Sequence, residues 1–169
     1  EEITSVFPPT TVAATNAVLS ARPPIETGYL GWVQYFEEYD SDVTIFLNKD
    51  FYTGKVYDEV IRNKHLDYND ILQQIHKKNP DIQTNIIFPA FIEQGTAETF
   101  KDEIEQVLLI THNTDQSFNY VYWIQPDLIE HKVGIHSNET KEMLKSLDND
   151  FKELLENITN DTLVVCIAD

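Results

Sequence analysis

The chain has 169 residues, of which 41% are hydrophobic and 11% aromatic, which is enough apolar material for one folded domain. Its formal net charge of −17 at pH 7 disfavours binding to nucleic acids and to anionic membrane surfaces. No apolar run approaches the roughly 20 residues of a membrane span. An acidic protein can still act on phosphate esters where bound cations reverse the local field.

The sequence begins and ends as we expect for a piece of a larger protein. No Met precedes Glu1, and the chain stops at Asp169, directly after an apolar segment typical of a buried strand. No basic-then-apolar leader opens it. We therefore expect a piece of a larger protein, whose compartment the sequence leaves open with a cytoplasmic location slightly favoured.

The first half of the chain is predicted to mix short helices and strands. Arg22-Pro23-Pro24 ends the first helix, and Pro80 ends the second. A polar turn at residues 40–42 separates the first two strands. The predicted elements are a helix over 11–21, strands over 32–39 and 43–47, a helix over 68–78 and a strand over 85–90.

The second half carries a strand–helix–strand pattern. An amphipathic helix is predicted over 99–112, a strand over 118–124, a helix capped by Ser137 that runs to residue 157, and a continuous apolar strand over 163–168. The last strand includes Cys166, which we expect to be core filler. This order predicts parallel strands. The predicted fold class is therefore α/β, with helices on both faces of a mostly parallel sheet.

Asp127 and His131 are the first candidate site residues. They lie four positions apart, just after the predicted strand 118–124, and the edge where strands end is where open α/β sheets place their chemistry. A carboxylate and an imidazole that share one cation suit Zn²⁺ or Mn²⁺ better than Mg²⁺. The alternative is a surface Asp and an unrelated loop His.

Asp169 and the Thr10-Thr11 pair are further candidates. A carboxylate after a buried strand must be paired, hydrogen-bonded or metal-bound, unless Asp169 caps a following helix. Thr10 or Thr11 occupies the N-cap region of the first helix, which is an ordinary structural role for Thr. A hydroxyl there also faces free backbone N–H groups, which favour phosphate.

Aromatic residues follow the first helix closely. Tyr29, Trp32, Tyr35 and Phe36 can wall a ligand pocket, although packing in the core or at a sheet edge is the commoner role. Trp32 and Thr10 are therefore candidates for contact with a substrate.

Taken together, these segments resemble the alkaline-phosphatase superfamily, in particular its nucleotide pyrophosphatase/phosphodiesterase branch. The segments that carry the resemblance are Ser5-Val6-Phe7-Pro8-Pro9-Thr10-Thr11-Val12-Ala13-Ala14-Thr15, Ile25-Glu26-Thr27-Gly28, Pro126-Asp127-Leu128-Ile129-Glu130-His131-Lys132-Val133-Gly134 and Val164-Val165-Cys166-Ile167-Ala168-Asp169. The resemblance covers essentially residues 1–169, as a single partial catalytic domain with an alkaline-phosphatase-like fold.

The resemblance assigns roles to four residues. Counting back from Ser20-Ala21, the nucleophile is Thr11, with Thr10 as the adjacent alternative, and the metal ligands are Asp127, His131 and Asp169. The usual His-Gly after the nucleophile helix is Thr27-Gly28 here, and the family's other metal ligands do not occur in the chain. Residues 37–116 match no family motif and are expected to be an inserted or substrate-selecting region.

The implied function is metal-dependent hydrolysis of phosphodiester or pyrophosphate bonds in a small phosphate ester or nucleotide. Two divalent cations, with Zn²⁺ favoured over Mn²⁺ and Mg²⁺, would assist an in-line displacement in which Thr11 attacks phosphorus. A phosphomonoesterase, a phosphonate hydrolase, a phosphomutase and a non-catalytic α/β binding module are the alternatives. Because about half of the implied ligands are missing, the isolated chain is expected to be inactive. The strand implied to carry the first metal-binding Asp is missing too, so the chain is expected to self-associate through an exposed strand edge.

Overall fold

The computed structural model describes residues 4–92 and 95–168, which form seven helices and five short strands. The chain divides into two compact units, Glu1–Lys78 with Cys166–Asp169 and Asn79–Val165. The structure is thus mixed α/β as predicted, with two small sheets. None of the helices within the described residues is long and apolar enough to cross a membrane.

The first unit combines four helices with a small antiparallel sheet. Its elements are α1 (Thr11–Ser20), α2 (Pro24–Thr27), β1 (Val33–Phe36), β2 (Ser41–Thr44), β3 (Lys49–Asp50), α3 (Ile61–His65) and α4 (Ile71–Lys78). The strand order is β1-β2-β3, with Val33 opposite Thr44. A 3-10 turn at Glu37–Tyr39 and a left-handed Asp40 make the reversal. The predicted turn at 40–42 was therefore displaced, because Ser41 and Asp42 already belong to β2.

The core of the first unit fixes the start of α1. Val12 is fully buried and belongs to one apolar cluster with Val43 and Ile45 of the sheet segment and with Ile61 of α3. Buried polar contacts hold the same helix, since the Tyr68 hydroxyl donates to Asn16 Oδ1 at 2.7 Å. Core packing and this hydrogen bond therefore fix the position of the N-terminal turn of α1.

The second unit is built around a parallel strand–helix–strand motif. Its elements are β4 (Gln83–Ile87), α5 (Phe100–Asn113), β5 (Ser117–Val121), α6 (Asp127–Val133) and α7 (Asn138–Asn157). β4 and β5 pair in parallel, with Ile87 opposite Val121. Parallel strands need such a crossover connection, and here α5 provides it. The core joins Ile87 to Ile104 and Val107 of α5 and to Leu154 of α7.

Local signals in the sequence explain where the long helices begin. Thr99 caps α5 through a capping box, in which its side chain accepts from Asp102 N and the Asp102 side chain accepts from Thr99 N. Ser137 caps α7 by accepting from Thr140 N, as predicted. These caps satisfy backbone N–H groups that have no partner inside the helix.

The predicted strand over residues 163–168 was wrong. The segment belongs to no strand of the described residues, and Leu163, Val165 and Ile167 are exposed. Within it Val164 packs against the core of the second unit. Cys166 is exposed, so its prediction as core filler was also wrong. The apolar pattern does not specify a neighbouring strand with which this segment could pair.

Candidate functional site

Thr11 occupies the first helical position of α1. Thr10 precedes it as the N-cap, with φ −145° and ψ 145°, and its side chain makes no capping hydrogen bond. The carbonyl of Thr11 accepts a hydrogen bond from the Thr15 hydroxyl at 2.7 Å. Thr10 is therefore the N-cap residue, and Thr11, which is half-buried, lies in the first turn of the helix.

The first turn of α1 has the character of an anion-binding terminus. The leading N–H groups of a helix have no acceptor within it and carry its positive partial charge. The Thr10 side chain accepts a hydrogen bond from none of these N–H groups, and no acidic residue lies in this turn. A ligand with anionic oxygens is therefore the natural partner of this terminus.

Asp127 and His131 lie together on α6. Asp127 is the first residue of the helix and His131 follows one turn later, so both side chains share one helical face. His131 Nε2 lies 3.3 Å from Asp127 Oδ1. Both side chains are exposed, which leaves them accessible to ions from solvent.

The ends of α6 are fixed by local hydrogen bonds. Gln125 Oε1 accepts from Ile129 N at 3.0 Å, and Pro126 is the N-cap. At the other end Gly134, with φ 86°, donates from its backbone N–H to Glu130 O at 2.8 Å. These contacts define the single helical turn that separates Asp127 from His131.

The remaining predicted ligand, Asp169, lies outside the described residues. Within residues 4–92 and 95–168, no three His, Cys, Asp or Glu side chains gather into a group that could hold a metal ion. Asp127 and His131 are thus a two-donor pair in the second unit, and Thr11 belongs to the first unit.

The aromatic candidates divide between core and surface. Tyr29 and Phe36 are buried in the core of the first unit. Trp32 is 45% exposed and makes an edge-to-face contact with Phe46 at 5.9 Å between ring centroids. Tyr35 is also exposed and donates its hydroxyl to Asp40. Trp32 therefore keeps a partly open ring face, whereas the buried pair serves packing.

Glu103 is a buried ionisable residue that was not among the candidates predicted from the sequence. It is fully buried in the first turns of α5, and among the described residues neither carboxylate oxygen has a hydrogen-bond partner. Burial, reinforced by the neighbouring charge of Asp102, raises the pKa of Glu103 to about 8. Its spacing of three residues from Phe100 and four from Val107 was a signal, because that spacing places it on the apolar face.

Comparison with known proteins establishes the class to which this fold belongs. The model of a family of hydrolases, described as type I phosphodiesterase / nucleotide pyrophosphatase, matches residues 1–169. The chain therefore belongs to the type I phosphodiesterase/nucleotide pyrophosphatase family. This confirms the resemblance to that branch of the alkaline-phosphatase superfamily, whose members are generally metal-dependent. A comparison with curated proteins finds no match.

Proposed function

We propose that the protein hydrolyses phosphodiester or pyrophosphate bonds with Thr11 as its nucleophile and with two divalent cations held in part by Asp127, His131 and Asp169. The observation that carries the proposal is the 3.3 Å separation of Asp127 Oδ1 and His131 Nε2. Two ligands on one tetrahedral zinc ion, each at about 2.0–2.1 Å, lie about 3.3–3.4 Å from each other. The pair therefore has the spacing that a shared cation requires.

The chemistry of the donors also fits a cation. A carboxylate oxygen with an imidazole nitrogen suits Zn²⁺, with Mn²⁺ as the alternative, whereas Mg²⁺ prefers oxygen ligands alone. Asp169 would add a second carboxylate to the ligand set. Bound divalent cations would supply positive charge that lowers the pKa of an attacking oxygen and offsets charge on the transferred group.

The turn that carries Thr11 supports its choice as the nucleophile. The N–H groups at the start of α1 would bind the anionic oxygens of the substrate and hold phosphorus near the Thr11 hydroxyl. The Thr11 hydroxyl would pass its proton to water, its oxygen would bond to phosphorus as the leaving alkoxide or phosphate departs, and water would then hydrolyse the phospho-threonine ester. Thr10, one residue earlier, is the alternative nucleophile or a contact for the substrate.

The substrate we propose is a small phosphate ester or a nucleotide. The partly open face of Trp32 offers an aromatic surface for a base or another flat group. Residues 37–116 would select the substrate, and the whole chain would be part of one catalytic domain with a larger, mostly parallel alkaline-phosphatase-like sheet. The isolated chain, with about half of the implied ligands, would be inactive.

The Asp127–His131 pair also fits a second function. A carboxylate and an imidazole four residues apart readily contact each other on an exposed helix, and Asp127 also suits the helix dipole because it opens α6. A non-catalytic binding module would retain such a pair. A phosphomonoesterase or phosphomutase would use the same residues as the proposed diesterase.

A metal-dependent activity screen of the full-length protein tests the proposal. The substrates are bis-p-nitrophenyl phosphate, p-nitrophenyl phosphate and dinucleotides, each with Zn²⁺, Mn²⁺ or Mg²⁺ and after removal of metal by a chelator. We expect metal-dependent turnover with preference for the diester or pyrophosphate. Preference for the monoester favours the phosphomonoesterase, and no turnover of any substrate with any metal favours the binding module.

A further inference from the structure

A turn between β3 and the following loop exposes a cluster of apolar side chains. Phe51 is 53% exposed, Tyr52 79% and Val56 66%, and the rings of Phe51 and Tyr52 contact each other edge to face at 5.1 Å. We call these three side chains the aromatic tip. Exposed apolar side chains that contact each other, as Phe51 and Tyr52 do, mark contact surfaces more often than isolated ones do.

The Asp50 carboxylate holds the turn in one conformation. It accepts hydrogen bonds from the Ser41 hydroxyl, from the backbone N–H groups of Tyr52 and Thr53 and from the Thr53 hydroxyl. These bonds, led by that from Ser41, lower the pKa of Asp50 to about 2. Asp50 therefore stays ionised and the turn stays ordered throughout the neutral range.

The backbone closes the same turn. Asp50 N donates to Lys55 O at 2.8 Å, and Gly54 N donates to Asp50 O at 3.0 Å. Gly54 has φ 72°, which favours glycine. Because the turn is ordered before any contact, the aromatic tip would lose little conformational entropy on binding.

A small acidic groove adjoins the aromatic tip. It has a volume of about 240 Å³ and is lined by residues 55–59, which include Val56 of the tip and the carboxylates Asp58 and Glu59. Lys55 is directed over the ring of Tyr57, with Nζ 5.5 Å from the centroid. The surroundings are acidic as well, because residues 37–59 contain seven Asp and Glu but two Lys.

Charge selects the kind of partner. Nucleic acids and anionic membrane surfaces are repelled by this acidic region, and a second copy brings the same net charge of −17. A basic protein segment is attracted instead. Aromatic faces next to carboxylates also suit Lys and Arg, because cations bind favourably over such rings.

We propose that the aromatic tip and the acidic groove form a docking site for a basic segment of a partner protein. Apolar side chains of the segment contact Phe51, Tyr52 and Val56, while a Lys or Arg of the segment enters the groove beside Asp58 and Glu59. The site belongs to the first unit and includes none of the proposed nucleophile and metal ligands, although it lies within residues 37–116.

The probe is a labelled peptide that alternates Arg with Leu, compared with its counterpart that has Glu in place of Arg. Binding is measured by fluorescence anisotropy at about 0.15 M salt, where contacts beyond a Debye length of about 8 Å are largely screened. Phe51→Ser/Tyr52→Ser keeps the charge and removes the rings, and Asp58→Asn/Glu59→Gln removes two charges. Leu109→Ser/Leu144→Ser and Glu139→Gln/Asp148→Asn are the matched controls on other surfaces.

We expect the first variant to weaken binding of the Arg peptide at least tenfold and the second at least threefold, while each control stays within twofold of wild type and the Glu peptide does not bind. The single change Tyr52→Ser should show a partial loss if the double variant unfolds. Equal losses in a variant and its matched control would overturn the proposal, as would no binding of the Arg peptide. Concentration-dependent dimerisation that Phe51→Ser/Tyr52→Ser abolishes would assign the surface to a second copy instead.

Discussion

Asp127 and His131 have the sharpest geometry among the proposed site residues. In the full-length protein, Asp127→Ala and His131→Ala should each weaken binding of Zn²⁺ or Co²⁺ by more than about tenfold, because each removes a donor from the same ion. Calorimetry and the visible spectrum of Co²⁺ measure this without reference to activity. His136→Ala, at an exposed histidine that we assign to no site, is the control. Wild-type affinity in both Ala variants would mean that the pair is a surface ion pair.

Glu103 makes the stability of the second unit depend on pH. Its pKa in the folded chain, about 8, lies above the ordinary value of 4.5, so the folded state holds this proton more tightly than the unfolded state does. The free energy of unfolding should therefore fall as pH rises from about 4.5 to about 8 and level off above that.

Glu103→Gln should remove this part of the pH dependence. The amide is neutral at every pH, so the variant should match the wild type near pH 4.5 and exceed it above pH 8 by up to about 5 kcal/mol. Chemical denaturation at several pH values measures the difference. Glu105→Gln, at an exposed position on the same helix, is the control, and equal slopes in wild type and Glu103→Gln would contradict the assignment.

Residue types and spacing predicted that Asp127 and His131 lie close together, but they did not predict how deeply a side chain such as Glu103 is buried. The spacing of Asp127 and His131 brought them together because a helical turn separates them, and a single turn is a local property. The burial of Glu103 depends on how α5 packs, and the sequence shows only its apolar stripe. Asp169 lies outside the described residues, so its role as a metal ligand stays a prediction.

At the scale of elements, the end of α1 shows a residue in an unfavourable conformation. Ala21 is left-handed, with φ 56°, and its backbone N–H donates to Val18 O. A Cβ atom makes this conformation less favourable by about 1–2 kcal/mol, and glycine avoids that cost because it has no Cβ. Part of the gain is offset, because glycine increases the conformational entropy of the unfolded chain.

Ala21→Gly should therefore stabilise the first unit by roughly 0.5–1 kcal/mol. Ala17→Gly, within the same helix, should destabilise it by a similar amount, because glycine loses more conformational freedom there. Thermal and urea unfolding of the three chains measure both effects. If both Gly variants lose stability, strain at Ala21 is not released by glycine.

Elements with local start and stop signals were predicted best. Thr99 and Ser137 cap α5 and α7 within one residue of the expected starts. Strand pairing was predicted less well because it depends on distant partners. The observed parallel pair is β4 with β5, linked by α5, whereas the predicted crossover led through α7 to residues 163–168.

For the molecule as a whole, we expect residues 163–168 to mediate self-association. Leu163, Val165 and Ile167 are exposed in an uncharged segment, and exposed apolar segments of high β-propensity can pair with other chains. The isolated chain should show concentration-dependent association in sedimentation velocity, which Val165→Lys reduces. Leu155→Lys, at an exposed position on α7, is the control. A chain that stays monomeric at all concentrations would contradict this prediction.

We propose Thr11 as the nucleophile of a metal-dependent hydrolase, and turnover by Thr11→Ala in the full-length protein tests this role. With bis-p-nitrophenyl phosphate and Zn²⁺, we expect Thr11→Ala to abolish turnover while metal affinity and the unfolding temperature stay near wild type, because a lost nucleophile removes transition-state stabilisation rather than binding. Thr10→Ala should retain turnover. An inactive Thr10→Ala beside an active Thr11→Ala would move the nucleophile by one residue, and near wild-type turnover in both variants would contradict the covalent mechanism.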